Sequence, residues 1–536
     1  MKKTLVIIVC ILFFTAGQSF GRDEPLANEG KRGLYARSIE EVLRLRKEEV
    51  DLATAALIVS EQWSDIVHGR RYLSRLDDMA FEIRDRLKAK RLQADSRALA
   101  VINEYLFKKE RFESVSEVRD PNDLFLHCVL DNKRGYCLSL SILYLSLAER
   151  LDLPLYGVVV PGHFFVRYDD GQSPAINIET TSQGGTAPDE HYITKFNVPK
   201  GDRDSVYMQN LDKIETLGCF FNNLGNIYNT IGDIERALVA LERAVEINPS
   251  LAESRMNLGN IYLKKGRVDD AIYEYRTALE VNPDDAKTHL NLGNAYSERG
   301  WLTEAIGEYN LSLKLDPNII DTYKNLATVY CKREMFGQAL AQVRRALLLE
   351  PKDSSLYSQS GDVYSKMGDC EKAMLQYKKA LKMKPGLAQA HYGLAMCYNK
   401  LGRVDEEIRA HKKALAIEPD MLGALVNLGS AYFKKEQYDA AIEQYKKAVR
   451  IKPDDATLYY NLGAAYSNKG EYQQAVIEYR KAVEIEPGMG DAHNGFAYTF
   501  YMLKKYDLAF KHIRIAEELG ADIDKKLLRA IKKKLR

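Results

Sequence analysis

The stretch 251–283, LAESRMNLGNIYLKKGRVDDAIYEYRTALEVNP, ends on one of eight prolines spaced 34 residues apart: Pro249, Pro283, Pro317, Pro351, Pro385, Pro419, Pro453 and Pro487. Within it, Gly259 lies three residues before Tyr262 and twelve before Ala271. The small residue recurs as Gly225, Gly293, Ala327, Gly361, Ala395, Gly429, Gly463 and Ala497. The aromatic recurs as Tyr228, Tyr296, Tyr330, Tyr364, Tyr398, Tyr432, Tyr466 and Phe500. The alanine recurs as Ala237, Ala305, Ala339, Ala373, Ala441, Ala475 and Ala509, with Glu407 breaking the pattern once. Positions locked together at this period describe helix pairs. The aromatic lies on the inward face of the first helix, and the alanine marks where two helices approach closely.

One such pair cannot bury its own apolar stripe, so neighbouring pairs must stack. The period and its recurring residues resemble the tetratricopeptide family. The resemblance implies nine repeats over residues 218–523, forming an all-α superhelical solenoid with a long concave groove. Residues 524–536 read as a capping helix, with Leu527, Leu528, Ile531 and Leu535 at helical spacing. Its basic residues suit a helix C-terminus, which favours a cap over a nucleic-acid or lipid contact.

A chain of 536 residues is too long for one core, and 28% charged with 46% hydrophobic residues is ordinary for a globular protein. Lys2 and Lys3 precede an apolar run from Leu5 to Ala16, and Ser19-Phe20-Gly21 supplies a cleavage-like site. Residues 1–21 therefore read as a signal peptide for export, into a periplasm, rather than as a membrane span. They contain two lysines and no acids, so cleavage changes 77 basic against 75 acidic residues to 75 against 75. A near-neutral protein has no bulk field to steer it toward nucleic acid. Cys10, followed by Ile-Leu-Phe-Phe, does not look like a lipid attachment site, although an uncleaved anchor is the alternative. Beyond residue 21 the cysteines are Cys128, Cys137, Cys219, Cys331, Cys370 and Cys397, with no CxxC pair. The four in the repeats occupy different repeat positions and read as small buried hydrophobes.

Residues 34–204 form the expected α+β N-terminal domain, followed by a connector helix over 205–217. Helical segments lead to Asp120-Pro121-Asn122 and a sharp break at Lys133-Arg134-Gly135. The apolar run YCLSLSILYLSLAERL then places Cys137 at a helix N-terminus. Free backbone N–H groups and the positive dipole end favour a thiolate there. LYGVVV reads as a strand, Pro161-Gly162 as a tight turn, HFFVRY as a strand opened by His163, and AINIE as a third strand ending in Glu179. Strand partners summing to 342 set His163 opposite Glu179. This needs an odd hairpin loop, such as 170–172 or 169–173; an even loop would put Ile178 or Thr180 opposite, and the sequence leaves the register open. Asn177 shares that face and is the second candidate to orient the imidazole.

Cysteine, histidine and acid in this chain order, together with NEYLFKKERF, DPNDLFL, VLDNKRGYCLSLSILYLSLAERLDLPLYGV and PGHFFVRY, resemble a bacterial transglutaminase-like core family with a papain-like fold. Many members carry Gly-Ile-Pro where this chain has Gly-Tyr-Cys. The resemblance implies Cys137 as nucleophile, His163 as proton carrier and Glu179 as the acid that fixes the ring. Glutamate stands where aspartate is more common. The alternatives are an inert buried Cys137, a Cys128 to Cys137 disulfide, and a metal site from His127, Cys128, Cys137 and His163, whose spacing is unfamiliar. His191 reads as a solvent-exposed histidine. No cofactor is implied.

Two residues before each small position stands Asn223, Asn257, Asn291, Asn325, Gln359, Asn427 or Asn461, with glycine at 393 and 495. The row resembles the asparagine ladder of O-linked N-acetylglucosamine transferases, which implies a groove that binds the backbone of an extended peptide or protein partner. The alternative is that this asparagine merely belongs to the repeat consensus. Two functions follow: an exported cysteine acyl-transfer or amide-hydrolysing enzyme fed by the groove, or a non-catalytic periplasmic scaffold.

Overall fold

The computed structural model describes residues 25–64, 67–116, 120–196, 198 and 206–535. The leader expected over residues 1–21 lies outside them. The described residues form two compact units, one ending at Leu315 and one beginning at Asp316.

In the first unit, α1 (Leu52–Trp63) starts where Asp51 accepts the Thr54 N–H at 2.7 Å, and α2 (Gly69–Ala89) follows. Helix α3 (Leu126–Asn132) stops at Lys133, whose φ of 57° is left-handed and turns the chain. Gly135 then passes so close to the next helix that an added Cβ would lie 2.8 Å from Ser139 Oγ. Helix α4 (Cys137–Arg150) begins immediately after Tyr136, whose N–H donates to Ser139 Oγ at 2.9 Å. Leu138, Leu143, Tyr144 and Leu147 leave almost no surface exposed, so α4 is the core around which α1, α2 and α3 pack. Its far end is fixed by Arg150, buried and donating from Nε to Asp77 at 2.7 Å.

The sheet is an antiparallel meander: β1 (Leu155–Val160), β2 (His163–Tyr168), β3 (Ile176–Glu179) and β4 (Gly185–Thr186). Val160 pairs with His163 across the Pro161-Gly162 turn, where Gly162 has a φ of 70°. That is the positive value that the third residue of a proline-led tight turn requires. Helix α5 (Asp189–Lys195) covers one face through Tyr192, which stacks on Phe165.

The register left open by the sequence differs from both odd loops considered. Val166 pairs with Ile178, Arg167 with Asn177 and Tyr168 with Ile176, so partners sum to 344 rather than 342. The loop therefore runs over residues 169–175. It is still odd, which keeps His163 and Glu179 on one face, but they lie diagonally rather than directly opposite.

The expected connector helix over 205–217 is also corrected. Val206 to Leu211 is extended, and Tyr207 and Leu211 bridge to Val159 and Gly157 on β1, so this segment adds itself to the sheet edge. Helix begins only at Lys213, where Asp212 and Glu215 exchange hydrogen bonds of 2.8 Å in a capping box. Three helix pairs complete the unit: α6 (Lys213–Thr230) with α7 (Ile234–Ile247), α8 (Ala252–Lys264) with α9 (Val268–Val281), and α10 (Ala286–Arg299) with α11 (Leu302–Leu315).

The second unit continues the pattern with six pairs. They run from α12 (Ile320–Lys332) and α13 (Phe336–Leu349) through α14 (Ser354–Lys366), α15 (Cys370–Met383), α16 (Ala388–Lys400), α17 (Val404–Ile417), α18 (Leu422–Lys434), α19 (Tyr438–Ile451), α20 (Ala456–Lys469) and α21 (Tyr472–Ile485) to α22 (Gly490–Met502) and α23 (Tyr506–Glu518). Helix α24 (Lys525–Leu535) buries Leu527 and Ile531 against Ile513, as a cap should. Its basic residues lie on the other face.

Close packing within a pair follows a matching rule. An added Cβ at Gly259, Gly293, Gly361, Gly429 or Gly463 would meet the ring of Tyr275, Tyr309, Tyr377, Tyr445 or Tyr479 at 2.6–2.8 Å. Where the small residue is Ala327, Ala395 or Ala497, the residue sixteen positions on is Val343, His411 or Ile513. Glycine therefore accommodates tyrosine in five pairs and Leu241 opposite Gly225 in the first, whereas alanine goes with a partner smaller than tyrosine. The same rings explain the two glycines in the asparagine row: a Cβ at Gly393 or Gly495 would lie 2.4 or 2.5 Å from Tyr377 or Tyr479. Replacing Gly293 by alanine should cost about 1–3 kcal/mol by overpacking, and Tyr309→Val in the same chain should recover most of it. Denaturant melts of the two variants check this.

Glu407, in the alanine slot, is fully buried with its Oε1 accepting from Asn399 Nδ2 at 2.6 Å. Cys219, Cys370 and Cys397 are buried as expected, whereas Cys331 is only half-buried. Among the described residues no helix is long and apolar enough to cross a membrane.

Candidate active site

The three residues singled out from the sequence converge. Cys137 opens α4, His163 opens β2 and Glu179 closes β3, and His163 Nε2 lies 2.7 Å from Glu179 Oε2. Cys137 shares a small cavity with the ring and is among the groups that hydrogen-bond it. With Nε2 occupied by the carboxylate, Nδ1 is the nitrogen left to face the sulfur. The other Glu179 oxygen accepts from the Thr181 N–H at 3.3 Å and from its hydroxyl, so both carboxylate oxygens are committed.

Burial alone would disfavour the charged ring. The hydrogen bonds to Cys137 and Glu179 and their negative charge outweigh it, and His163 is pushed up to about 9. Burial likewise opposes ionisation of Glu179, yet the His163 and Thr181 hydrogen bonds hold it below the usual carboxylate range. The site thus favours a charged imidazole paired with the Glu179 carboxylate. Tyr136 contributes a hydroxyl hydrogen-bonded to Cys137. Burial first, and the neighbouring sulfur second, push that phenol up to about 12, so it stays a donor. Phe196 lies flat on the His163 ring, with centroids 4.8 Å apart and planes 3° from parallel.

Asn177 does not serve the imidazole. Its Oδ1 accepts from Arg167 Nε at 2.8 Å and its Nδ2 donates to Asp189 at 2.7 Å, which fastens α5 to the sheet. Cys128 and Cys137 are both free thiols, and Cys128 Sγ contacts His127 Nε2 at 3.1 Å. His191 is exposed.

Sequence reasoning missed the fourth wall of the cleft. Cys137, Gly162 and His163 share a cavity with Asn222 and Asn223 of α6 and Glu253 of α8. Its volume of about 20 Å³ accommodates one water molecule. Cys137 is 3% exposed. The Gly162 N–H and the Asn222 side chain both donate to the Glu253 carboxylate, although burial raises Glu253 above its ordinary value. The only sequence signal was indirect, since Glu253 and Asn222 belong to repeats read as a separate groove.

Along the asparagine row, Asn257 Nδ2 donates to Asn222 Oδ1 at 2.9 Å, Asn291 Nδ2 to Asn260 Oδ1 at 3.0 Å, and Asn427 Nδ2 to the Tyr392 hydroxyl at 3.2 Å. Gln359 Nε2 donates to the Lys324 carbonyl at 2.7 Å, and Asn325 is likewise engaged. Asn223 and Asn461 are half-buried. These amides therefore tie successive first helices together.

Comparison with known proteins agrees with this anatomy. Residues 70–217 match the transglutaminase-like superfamily. Segments 225–266, 259–300, 361–402 and 429–470 match the TPR repeat, and 286–319, 388–421 and 456–488 the tetratricopeptide repeat. A UPF0162 protein of Xylella fastidiosa is 40% identical over 76 residues, which are 14% of this chain and 27% of that protein. F-box only protein 21 of Homo sapiens is 29% identical over 103 residues, 19% of this chain and 16% of that protein. This chain therefore spans only a small part of the length of these curated relatives. Among solved structures, MamA is 29% identical with a TM-score of 0.28, covering 31% of this chain and 92% of its own. YrrB, described as a TPR protein with an unusual peptide-binding site, is 27% identical with a TM-score of 0.27, covering 35% and 96%. The chain carries a transglutaminase-like core domain followed by tetratricopeptide repeats.

Proposed function

We propose that this protein is an exported cysteine-dependent enzyme that hydrolyses or transfers an amide acyl group, with the repeats supplying a peptide or protein as substrate. The observation that carries the reading is the His163 ring, bonded by Glu179 at 2.7 Å and set in one small cavity with Cys137. The chemistry follows from that order. His163 takes the Cys137 proton, and the sulfur attacks an amide carbonyl, forming the C–S bond. The backbone N–H of Cys137, at the start of α4, faces the developing oxyanion. As the C–N bond breaks, the imidazolium gives its proton to the departing amine. Water or a second amine then attacks the thioester, His163 accepts that nucleophile's proton, and the thiol is regenerated.

Export rests on the leader-like residues 1–21 alone. The scaffold reading draws on one observation, the near-complete burial of Cys137. To test the enzyme reading, the full chain is incubated with glutamine- and asparagine-containing peptides, quenched in acid and weighed intact. An acyl adduct on Cys137, accompanied by released ammonia and absent in Cys137→Ala, is expected. No adduct and no amide turnover, in wild type and Glu253→Ala alike, would favour the scaffold.

A further inference from the structure

The nucleophile is closed in by the repeats rather than by its own domain. On the domain side stand the sulfur, the imidazole and the Pro161-Gly162 turn that leads into β2. On the repeat side stand Asn222, Leu251 and Glu253. Only about 20 Å³ is left between them, too little for an acyl group of any substrate. The contact is built from charge-assisted and buried hydrogen bonds. Gly162 N–H and Asn222 donate to Glu253, and Asn257 holds Asn222 in the orientation that makes this possible by donating to its Oδ1 at 2.9 Å. Asn222 is 4% exposed, so its amide has no water to fall back on.

We propose that this chain of hydrogen bonds, Asn257 to Asn222 to Glu253 to the Gly162 N–H, is a latch that holds the first two repeats over Cys137 and must open before an acyl substrate reaches the sulfur. The proposal rests on the enzyme reading above and adds its regulation. Asn257 is a half-buried member of the row of amides that a polypeptide in the groove would meet. An Asn257 side chain that turns so that both its oxygen and its NH2 group pair with a polypeptide backbone gives up its bond to Asn222. Substrate binding and opening of the cleft are then one event. The barrier is modest because one latch contact joins a surface turn to a helix N-terminus, and such contacts open locally without global unfolding.

The test is the rate at which iodoacetamide alkylates Cys137 in the folded full chain at constant pH, read by peptide mass. Glu253→Ala should speed labelling by about ten-fold or more, since it removes the acceptor of both latch donors. Glu253→Gln, which keeps length and shape, should give an intermediate rate. Asn257→Ala should speed labelling by about three-fold, and adding it to Glu253→Ala should add little, because the two substitutions cut one chain. Thermal melting within a few degrees of wild type, with helix content unchanged, separates opening from unfolding. Equal rates in wild type, Glu253→Ala and Glu253→Gln would overturn the latch, and an unchanged rate in Asn257→Ala would overturn its link to the groove. The enzyme reading fails differently. If His163 does not activate the sulfur, removing His163 leaves the rates of open and closed chains unaltered while their ratio persists.

Discussion

Replacing His163 by alanine should slow alkylation of Cys137 at pH 6.5 by about 100-fold and have little effect at pH 9.5. With the ring in place the sulfur faces an imidazolium that stabilises its anion. Without the ring that stabilisation is gone, and an unassisted thiol is only about 1% thiolate two units below its usual value. Access to the cleft scales both rates equally, so the pH dependence isolates the chemistry. His163 is held up to about 9 by Cys137 and Glu179 against the opposing effect of burial. The sign then follows. A folded value above the ordinary 6.5 stabilises the fold fully below about pH 6.5, and the contribution fades as pH rises through 9. Turnover of amides should fall on the same alkaline limb, because the proton for the leaving amine is lost there. Equal alkylation rates for wild type and His163→Ala at pH 6.5 would sink the ion pair.

The helix that opens on Cys137, the two strands flanking Pro161-Gly162 and the repeat pairs were all legible, because each has a local cause. Gly135 allows close approach, the β-branched and aromatic runs favour strands, and a period of 34 residues repeats the same packing problem. Two features were not legible for the opposite reason. The register of β2 against β3 depends on how the 169–175 loop closes, and Asp170 sets that by accepting the backbone N–H groups of Gln172 and Ser173 at 2.9 and 2.7 Å. Nothing in the apolar pattern distinguishes partners summing to 342 from 344, since both keep the same faces. The repeat wall of the cleft was invisible because it joins residues about 90 positions apart in sequence, Gly162 and Glu253, through a polar contact that leaves no periodic trace. The glycine–tyrosine match, by contrast, was present in the sequence sixteen residues apart. It went unseen because the first-helix aromatic dominates the pattern.

Shortening Glu179 by one methylene should be nearly as damaging as neutralising it. With partners summing to 344, Glu179 is set across from Phe165, two residues beyond His163 along β2, so its carboxylate reaches the ring only along a diagonal. Aspartate would withdraw the carboxylate by roughly 1.5 Å, one C–C bond length, turning a 2.7 Å contact into a gap too wide for a hydrogen bond. It would also surrender the Thr181 bonds that fix the second oxygen. Glu179→Asp and Glu179→Gln should each lower amide turnover on the order of 100-fold, with the alkaline limb moving from near 9 toward neutrality in both. A site designed around aspartate would show the reverse, with Glu179→Asp close to wild type. That outcome would mean that the hairpin can slip by two residues, bringing the positions directly opposite, and that the glutamate is incidental. The pair of variants therefore measures register through chemistry: the extra methylene is what lets this sheet, with its seven-residue loop, still complete the triad.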